Sequence, residues 1–91
     1  MSFQAMTWAI KKKIPTIEKF VLLMIADNAD HDCYSDVIVE DLAETVSLSM
    51  KQIISHLLWL MDNKYLTYIE AYDFEGKEVT KFKLGENDHE F

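Results

Sequence analysis

Arginine is absent from this sequence, so its positive charge comes entirely from nine lysines. Only two glycines are present, which excludes a glycine-rich loop of the kind that cradles phosphates. Cys33 is the single cysteine, so no disulfide can form within the chain, and a reducing cytoplasm is the expected compartment. No apolar run reaches the roughly 20 residues of a membrane span. The lysines at 11–13 follow apolar residues, the reverse of a secretory signal, so no membrane contact is expected.

Acidic residues outnumber lysines by 16 to 9, and the resulting net charge of −7 is unevenly distributed. Residues 1–19 carry +3, residues 51–84 are neutral and residues 85–91 carry −3. Residues 20–50 carry −7 and contain no lysine; their acidic residues are Asp27, Asp30, Asp32, Asp36, Glu40, Asp41 and Glu44. Phosphate affinity depends largely on lysine and arginine, so this composition disfavours a non-specific DNA-binding protein.

The hydrophobic pattern predicts one domain that begins with helices. Hydrophobic residues make up 49% of the chain, enough for a single modest core. Residues 1–14 are expected to form an N-terminal arm or short helix, with Trp8 and Ile10 packing back on the body. Pro15 suits the first turn of a long helix. The expected apolar stripe of that helix recurs near helical spacing and comprises Ile17, Phe20, Val21, Leu22, Leu23, Met24 and Ile25.

A polar loop is predicted over residues 27–36, followed by a short second helix entered near Asp36. After a turn at Ser47 and Leu48, Ser49 is a suitable N-cap for a third helix that runs to about Asn63. The period then changes, since "YLTYIEAY" and "EVTKFKL" are rich in β-branched and aromatic residues and flank the turn "DFEGK". Three main helices followed by this β-hairpin predict an α+β winged helix-turn-helix. Residues 1–84 form the domain, 65–84 its wing, and 85–91 an acidic, frayed tail.

Two interpretations of the third helix are open. Ile53, Leu57, Leu60 and Met61 form its expected core face, and Ile54 and Leu58 widen the apolar arc beyond what a surface helix needs. Either Ile54 and Leu58 tuck under the wing while Trp59 packs on the wing or the N-terminal arm. Or Trp59, Leu58 and Ile54 form an exposed patch for a protein partner or for a second copy of the chain, giving a homodimer.

Three stretches, "WAIKKKIPTIEKFVLLMIADNAD", "CYSD" and "LAETVSLS", give the chain a resemblance to a known family. From Trp8 to Leu66 it resembles the small winged helix-turn-helix family of phages and other mobile elements, which includes phage replication proteins and the N-terminal domains of replisome organisers. The resemblance implies a nucleic-acid-binding module acting as regulator or replication accessory. Where that family usually carries basic residues on the third helix, this chain has Met50, Lys51, Gln52, Ser55 and Trp59.

DNA contacts would then come from three places. On the third helix, Lys51, Gln52 and Ser55 would face the groove, where Gln52 could recognise an adenine edge. Phosphate contacts are expected from lysines of the wing and the arm: Lys77, Lys81, Lys83, Lys11, Lys12 and Lys13. The alternative explanation for the wing lysines is that they keep the hairpin edge soluble and unpaired.

A second hypothesis belongs to another class of function. The acidic residues could bind a basic, nucleic-acid-handling protein, as a phage-encoded inhibitor of the anti-CRISPR type would. The candidate binding residues are Asp30, Asp32, Asp36, Glu40, Asp41 and Glu44. Glu40 and Asp41 also have a purely structural explanation, because acidic residues stabilise a helix N-terminus.

The sequence offers little support for catalysis, and we predict neither an enzyme nor a cofactor. The segment "NADHDCYSD" lacks the glycine and terminal glutamate of a calcium loop, and one cysteine with one histidine falls short of a closed zinc site. His56 on the third helix has no acidic residue at a spacing that would form a catalytic triad. No metal site is therefore predicted.

Overall fold

The computed structural model of the protein describes residues 3–85. Over this range the chain is α+β, with four helices and a three-stranded antiparallel sheet. Its elements, in chain order, are α1 (Phe3–Ile10), α2 (Thr16–Asp27), β1 (Tyr34–Val37), α3 (Val39–Thr45), α4 (Met50–Asp62), β2 (Leu66–Phe74) and β3 (Lys77–Leu84). Except for Gly85, the tail predicted to be frayed lies outside the described residues.

Strand β1 begins within the segment that the sequence predicts to be a polar loop, so that prediction is wrong for residues 34–36. β1 pairs antiparallel with β3, with Ser35 opposite Phe82, and the strand order in the sheet is β1-β3-β2. Ser35 and Val37 are buried, and the Ser35 hydroxyl donates a hydrogen bond of 2.8 Å to the carbonyl of Ile25 in α2. Pairing with a strand more than 40 residues away outweighs the polar composition of this short segment.

Helix α3 begins later than expected, at Val39, because β1 occupies Tyr34–Val37 and the N-cap position falls on Ile38 rather than Asp36. Its end is a Schellman motif: the amide of Leu48 donates to the Ala43 carbonyl, and Ser47 has a positive φ of 61°. The chain then turns directly into α4, on which α3 packs.

Ser49 caps α4, as the sequence predicts. Its hydroxyl accepts a hydrogen bond of 3.1 Å from the Gln52 amide, and the Gln52 side-chain oxygen accepts one of 2.9 Å from the Ser49 amide. This is a capping box. At the other end the amide of Tyr65 donates to the Leu60 carbonyl in a second Schellman motif, with Lys64 at a φ of 70°.

The hairpin turn also follows the sequence signal. Glu75 and Gly76 have φ values of 51° and 83° between the paired residues Phe74 and Lys77. Two central residues with positive φ make a two-residue turn whose twist matches that of the strands. A β-bulge between Tyr68 and Glu70 interrupts the pairing of β2 with β3.

The core lies between the helices and one face of the sheet. Ile53, Leu57 and Leu60 of α4 are buried in it and Met61 is half-buried, which confirms the predicted core face of that helix. The sheet contributes to the same core from all three strands, with Val37, Leu66, Phe82 and Leu84.

The predicted inner faces of α1 and α2 need correction. In α1, Trp8 is buried but Ile10 is exposed. In α2, Ile17 and Phe20 are exposed while Glu18, only 8% exposed, occupies the inward position. The inner side of α2 is therefore centred on Glu18, Val21, Leu22, Ile25 and Ala26.

Candidate interaction surfaces

An exposed apolar strip runs along α4. Ile54 is 46% exposed and Leu58 52% exposed, and Met50, four residues before Ile54, is exposed as well. Residues four apart lie on the same side of a helix. We call Met50, Ile54 and Leu58 the α4 apolar strip.

The expectation that Ile54 and Leu58 tuck under the wing is wrong. Of the nine described residues of β2, Leu66 alone is buried. Beyond Leu66 the side chains of β2 are exposed, and Tyr68 is itself 53% exposed. The hairpin therefore does not bury Ile54 or Leu58, and the strip remains exposed.

Trp59 does not belong to the strip. Its ring stacks on that of Tyr65, with centroids 6.2 Å apart and planes inclined by 11°. Trp8 of α1 packs on the same tyrosine at 6.3 Å. Trp59 is half-buried and packs against the core. Through Tyr65 it connects α4 with Trp8 of α1.

The residues of α4 predicted to face DNA are all exposed, but one of them is already engaged. Lys51 and Ser55 lie one turn apart on the surface. The Gln52 oxygen is held in the capping box, so a contact between this amide and a base edge would compete with the cap. The helix thus offers one cation, at its first turn.

The hairpin lysines lie in two separate places. Lys77 forms an ion pair of 3.8 Å with Asp41 of α3. The ammonium groups of Lys81 and Lys83 lie 5.8 and 5.7 Å from the ring centroid of Tyr34. By strand alternation, Lys81 and Lys83 are on the sheet face opposite to Phe82 and the core. The structure therefore does not bring them together with Lys51.

The arm lysines lie beside α1. Lys11 and Lys13 are exposed, and the Lys12 ammonium lies 5.2 Å from the ring centroid of Trp8.

The acidic candidates also divide into groups. Asp30 organises the loop before β1, since its carboxylate accepts hydrogen bonds from the amides of Asp32 (2.9 Å) and Tyr34 (3.0 Å). Asp36 is exposed on β1, where its charge acts on the Tyr72 hydroxyl of β2 and raises the pKa of that phenol. The remaining three, Glu40, Asp41 and Glu44, are exposed on α3.

A pocket of about 390 Å³ opens between α3 and the hairpin turn. It is lined by Ile38, Val39, Glu40, Asp41, Met50, Gly76, Lys77, Glu78 and Thr80. We call it the α3–hairpin pocket. Sequence reasoning missed it because its walls come from three elements separated along the chain. Met50 belongs both to this pocket and to the α4 apolar strip, so the two features adjoin.

A buried polar pair was also missed. The Glu18 carboxylate of α2 contacts Nδ1 of His56 in α4, and both side chains are largely shielded from solvent. The residues are 38 positions apart, so no local motif connects them. The available signal was the position of Glu18, which shares helical spacing with Val21, Leu22 and Ile25 inside an apolar stripe.

Cys33 is buried at the start of β1, and this burial raises the pKa of its thiol. Lys83 opposes the rise, while Asp30 and Asp32 add to it. A protonated thiol is a weak nucleophile, so Cys33 is poorly suited to covalent chemistry near neutral pH.

The chain matches no protein-family model, and comparison with curated proteins and with solved structures finds no match either. Across residues 3–85, none of the helices combines the length and apolarity needed to cross a membrane. Within that same range, no group of three or more His, Cys, Asp or Glu side chains is arranged to hold a metal ion.

Proposed function

We propose that the protein is a winged-helix module that binds another protein through the exposed side of α4. The winged-helix assignment is supported by the element order, in which one strand precedes the helix-turn-helix pair and a hairpin follows it. It is also supported by the pairing of β1 with β3, which places the three strands in one sheet beside the helices.

The α4 apolar strip carries the functional proposal. In a DNA-recognition helix the side exposed beside the hairpin carries hydrogen-bond donors and cations that contact base edges and phosphates. Here that side presents Met50, Ile54 and Leu58. Completing the burial of one large aliphatic side chain contributes at most about 1.5–3 kcal/mol, and a protein surface can supply the matching apolar contact.

The charge of the surroundings favours a basic partner. The chain carries −7 in total, and the carboxylates of α3 adjoin the strip at its Met50 end. Complementary charge raises association rates and excludes partners of like charge. A protein that handles nucleic acid has a basic surface, so it is the kind of partner that the inhibitor hypothesis predicts.

Affinity capture with immobilised protein tests this proposal. We expect Leu58→Glu to lose a specific partner that the wild type retains, because a charge is then placed in the apolar contact. Phe20→Glu is the matched control, since Phe20 is a similarly exposed apolar residue on α2. Equal capture by the wild type and Leu58→Glu would contradict the proposal, provided that circular dichroism shows both to be folded.

A second candidate is DNA binding by the same helix, and it is favoured by the exposure of Lys51 and Ser55 one turn apart. Titration with mixed-sequence duplex DNA at low and high salt tests it, because phosphate contacts weaken steeply with salt. If α4 enters a groove, Lys51→Ala combined with Gln52→Ala should weaken binding. The variant Lys51→Ala with Gln52→Glu keeps an acceptor for the capping box and controls for helix fraying.

If the protein does not bind duplex DNA even at low salt, protein binding is the one proposed function that remains. Sedimentation of the purified chain then shows whether the α4 apolar strip is covered by a second copy of the chain or binds a different protein.

A further inference from the structure

We propose that the α3–hairpin pocket receives a lysine or arginine side chain of the protein partner. The inference rests on the proposed protein-binding function and adds the chemistry of one contact. It predicts that the partner presents a basic residue at a fixed distance from an apolar one.

The shape of the pocket suits a long side chain with a charged end. Its volume of about 390 Å³ lies at the lower end of the roughly 300–1,000 Å³ range of ligand pockets. Ile38, Val39 and Met50 provide apolar wall that methylene groups can contact. Lysine and arginine bury their stems on such surfaces while their charged ends remain among polar groups.

The charge of the lining residues selects a cation. Three acidic residues, Glu40, Asp41 and Glu78, line the pocket with one basic residue, Lys77. The N-terminus of α3 explains Glu40 and Asp41 as helix-stabilising residues. It does not explain Glu78, which comes from β3 on the opposite wall.

The ion pair already present does not neutralise this lining. Lys77 and Asp41 are 3.8 Å apart, and each side chain is more than half exposed. Exposed pairs of this kind hold together weakly in water. An incoming guanidinium can therefore share Asp41 and still find Glu40 and Glu78.

The pocket and the α4 apolar strip share Met50, so one partner can cover both. Ile54 and Leu58 lie about 6 and 12 Å further along the axis, from the helix rise of 1.5 Å per residue. A partner whose apolar side chain covers these residues would therefore carry its basic residue one or two helical turns away.

Nuclear magnetic resonance with two small probes tests the pocket without the partner. The probes are Nα-acetyl-arginine methylamide and its neutral isostere Nα-acetyl-citrulline methylamide, titrated into the full ¹⁵N-labelled chain. We expect the arginine probe to shift the amide signals of Glu40, Gly76 and Glu78. Its affinity should exceed that of the citrulline probe roughly tenfold, the worth of a charge-assisted hydrogen bond.

Substitutions within the acidic lining provide the control. Glu40→Gln with Glu78→Gln should abolish the preference for arginine. Glu44→Gln should preserve it, because Glu44 is on the same helix but does not line the pocket. Equal shifts with both probes, or no shifts at the pocket with either, would overturn the proposal.

The outcome is separable from that of the proposed function. Leu58→Glu lies outside the pocket and should leave probe binding unchanged while it abolishes partner capture. If the arginine probe binds but Leu58→Glu captures the partner as well as the wild type does, only the proposed function is contradicted. If the wild type captures its partner but does not bind the arginine probe, only the pocket proposal is contradicted.

Discussion

Asp36 on β1 and Tyr72 on β2 lie on the same face of the sheet, on either side of the strand β3 with which both strands pair. Val79 lies on β3 directly opposite Tyr72 and is buried, although it is on the face away from the helices. The Tyr72 hydroxyl is close enough to Asp36 for the charge of that carboxylate to act on it across β3.

This contact gives a pH dependence that can be measured. Partial desolvation raises the pKa of Tyr72 above its ordinary value of 10.0, and the negative charge of Asp36 raises it further. The folded state favours the protonated phenol, so the stabilisation is complete below pH 10 and is lost as the pH rises through the raised pKa. We expect Asp36→Asn to bring the pKa of Tyr72 part of the way back, as followed by phenolate absorbance. An unchanged titration in this variant would contradict the contact.

Removal of His56 should destabilise the fold. His56→Ala leaves the buried Glu18 carboxylate without its partner, and a buried charge that loses a hydrogen bond costs roughly 2–3 kcal/mol. Urea denaturation measures the loss. Glu18→Leu combined with His56→Leu replaces both polar groups and should recover much of it. If the double variant were as unstable as His56→Ala, the unpaired carboxylate would not be the cause.

A glycine at residue 64 should stabilise the protein. Lys64 ends α4 with a φ of 70°, a conformation that costs a residue with a Cβ roughly 1 kcal/mol. Lys64→Gly should therefore raise the free energy of unfolding by up to about 1 kcal/mol, less the added chain entropy of glycine. Lys64→Ala removes the same charge but keeps the Cβ, so it should give no gain. Equal stability of the two variants would remove backbone strain as the explanation.

Reversal of charge on α3 should abolish partner capture. The variant Glu40→Lys, Asp41→Lys and Glu44→Lys presents cations where we expect a basic partner to approach, so attraction becomes repulsion. The same change loses roughly 0.3–1 kcal/mol for each of the two acidic residues of the first turn, which the fold should tolerate. Circular dichroism checks the fold, and capture by the variant at the wild-type level would exclude the acidic face.

Local signals explain the parts of the fold that the sequence predicts correctly. Ser49 and Gln52 specify the start of α4 within four residues, and Glu75-Gly76 specifies the hairpin turn within two. The core face of α4 follows from helical spacing alone. Each of these features depends on residues that are neighbours in the sequence.

The features that sequence analysis missed depend on distant contacts. The four residues of β1 form a strand because β3 pairs with them, and their own composition does not predict this. Glu18 is buried against His56 of α4, while Ile17 and Phe20 lie at the surface, and spacing within α2 does not show which of its sides faces α4. The exposure of Ile54 and Leu58 depends on how much of α4 the hairpin covers, and no local pattern encodes that.

The position of β2 at the edge of the sheet has a consequence for how the protein behaves in concentrated solution. An edge strand presents unpaired amides and carbonyls that can pair with another chain. β2 contains neither lysine nor proline to discourage this, and it exposes Tyr68, Ile69 and Phe74. What opposes it is the bulge beside Ile69 and the mutual repulsion of chains that each carry −7. Acidification protonates the carboxylates and so removes that repulsion, but the exposed edge of β2 remains. The same ionised carboxylates therefore keep the protein in solution and prevent β2 from pairing with another chain.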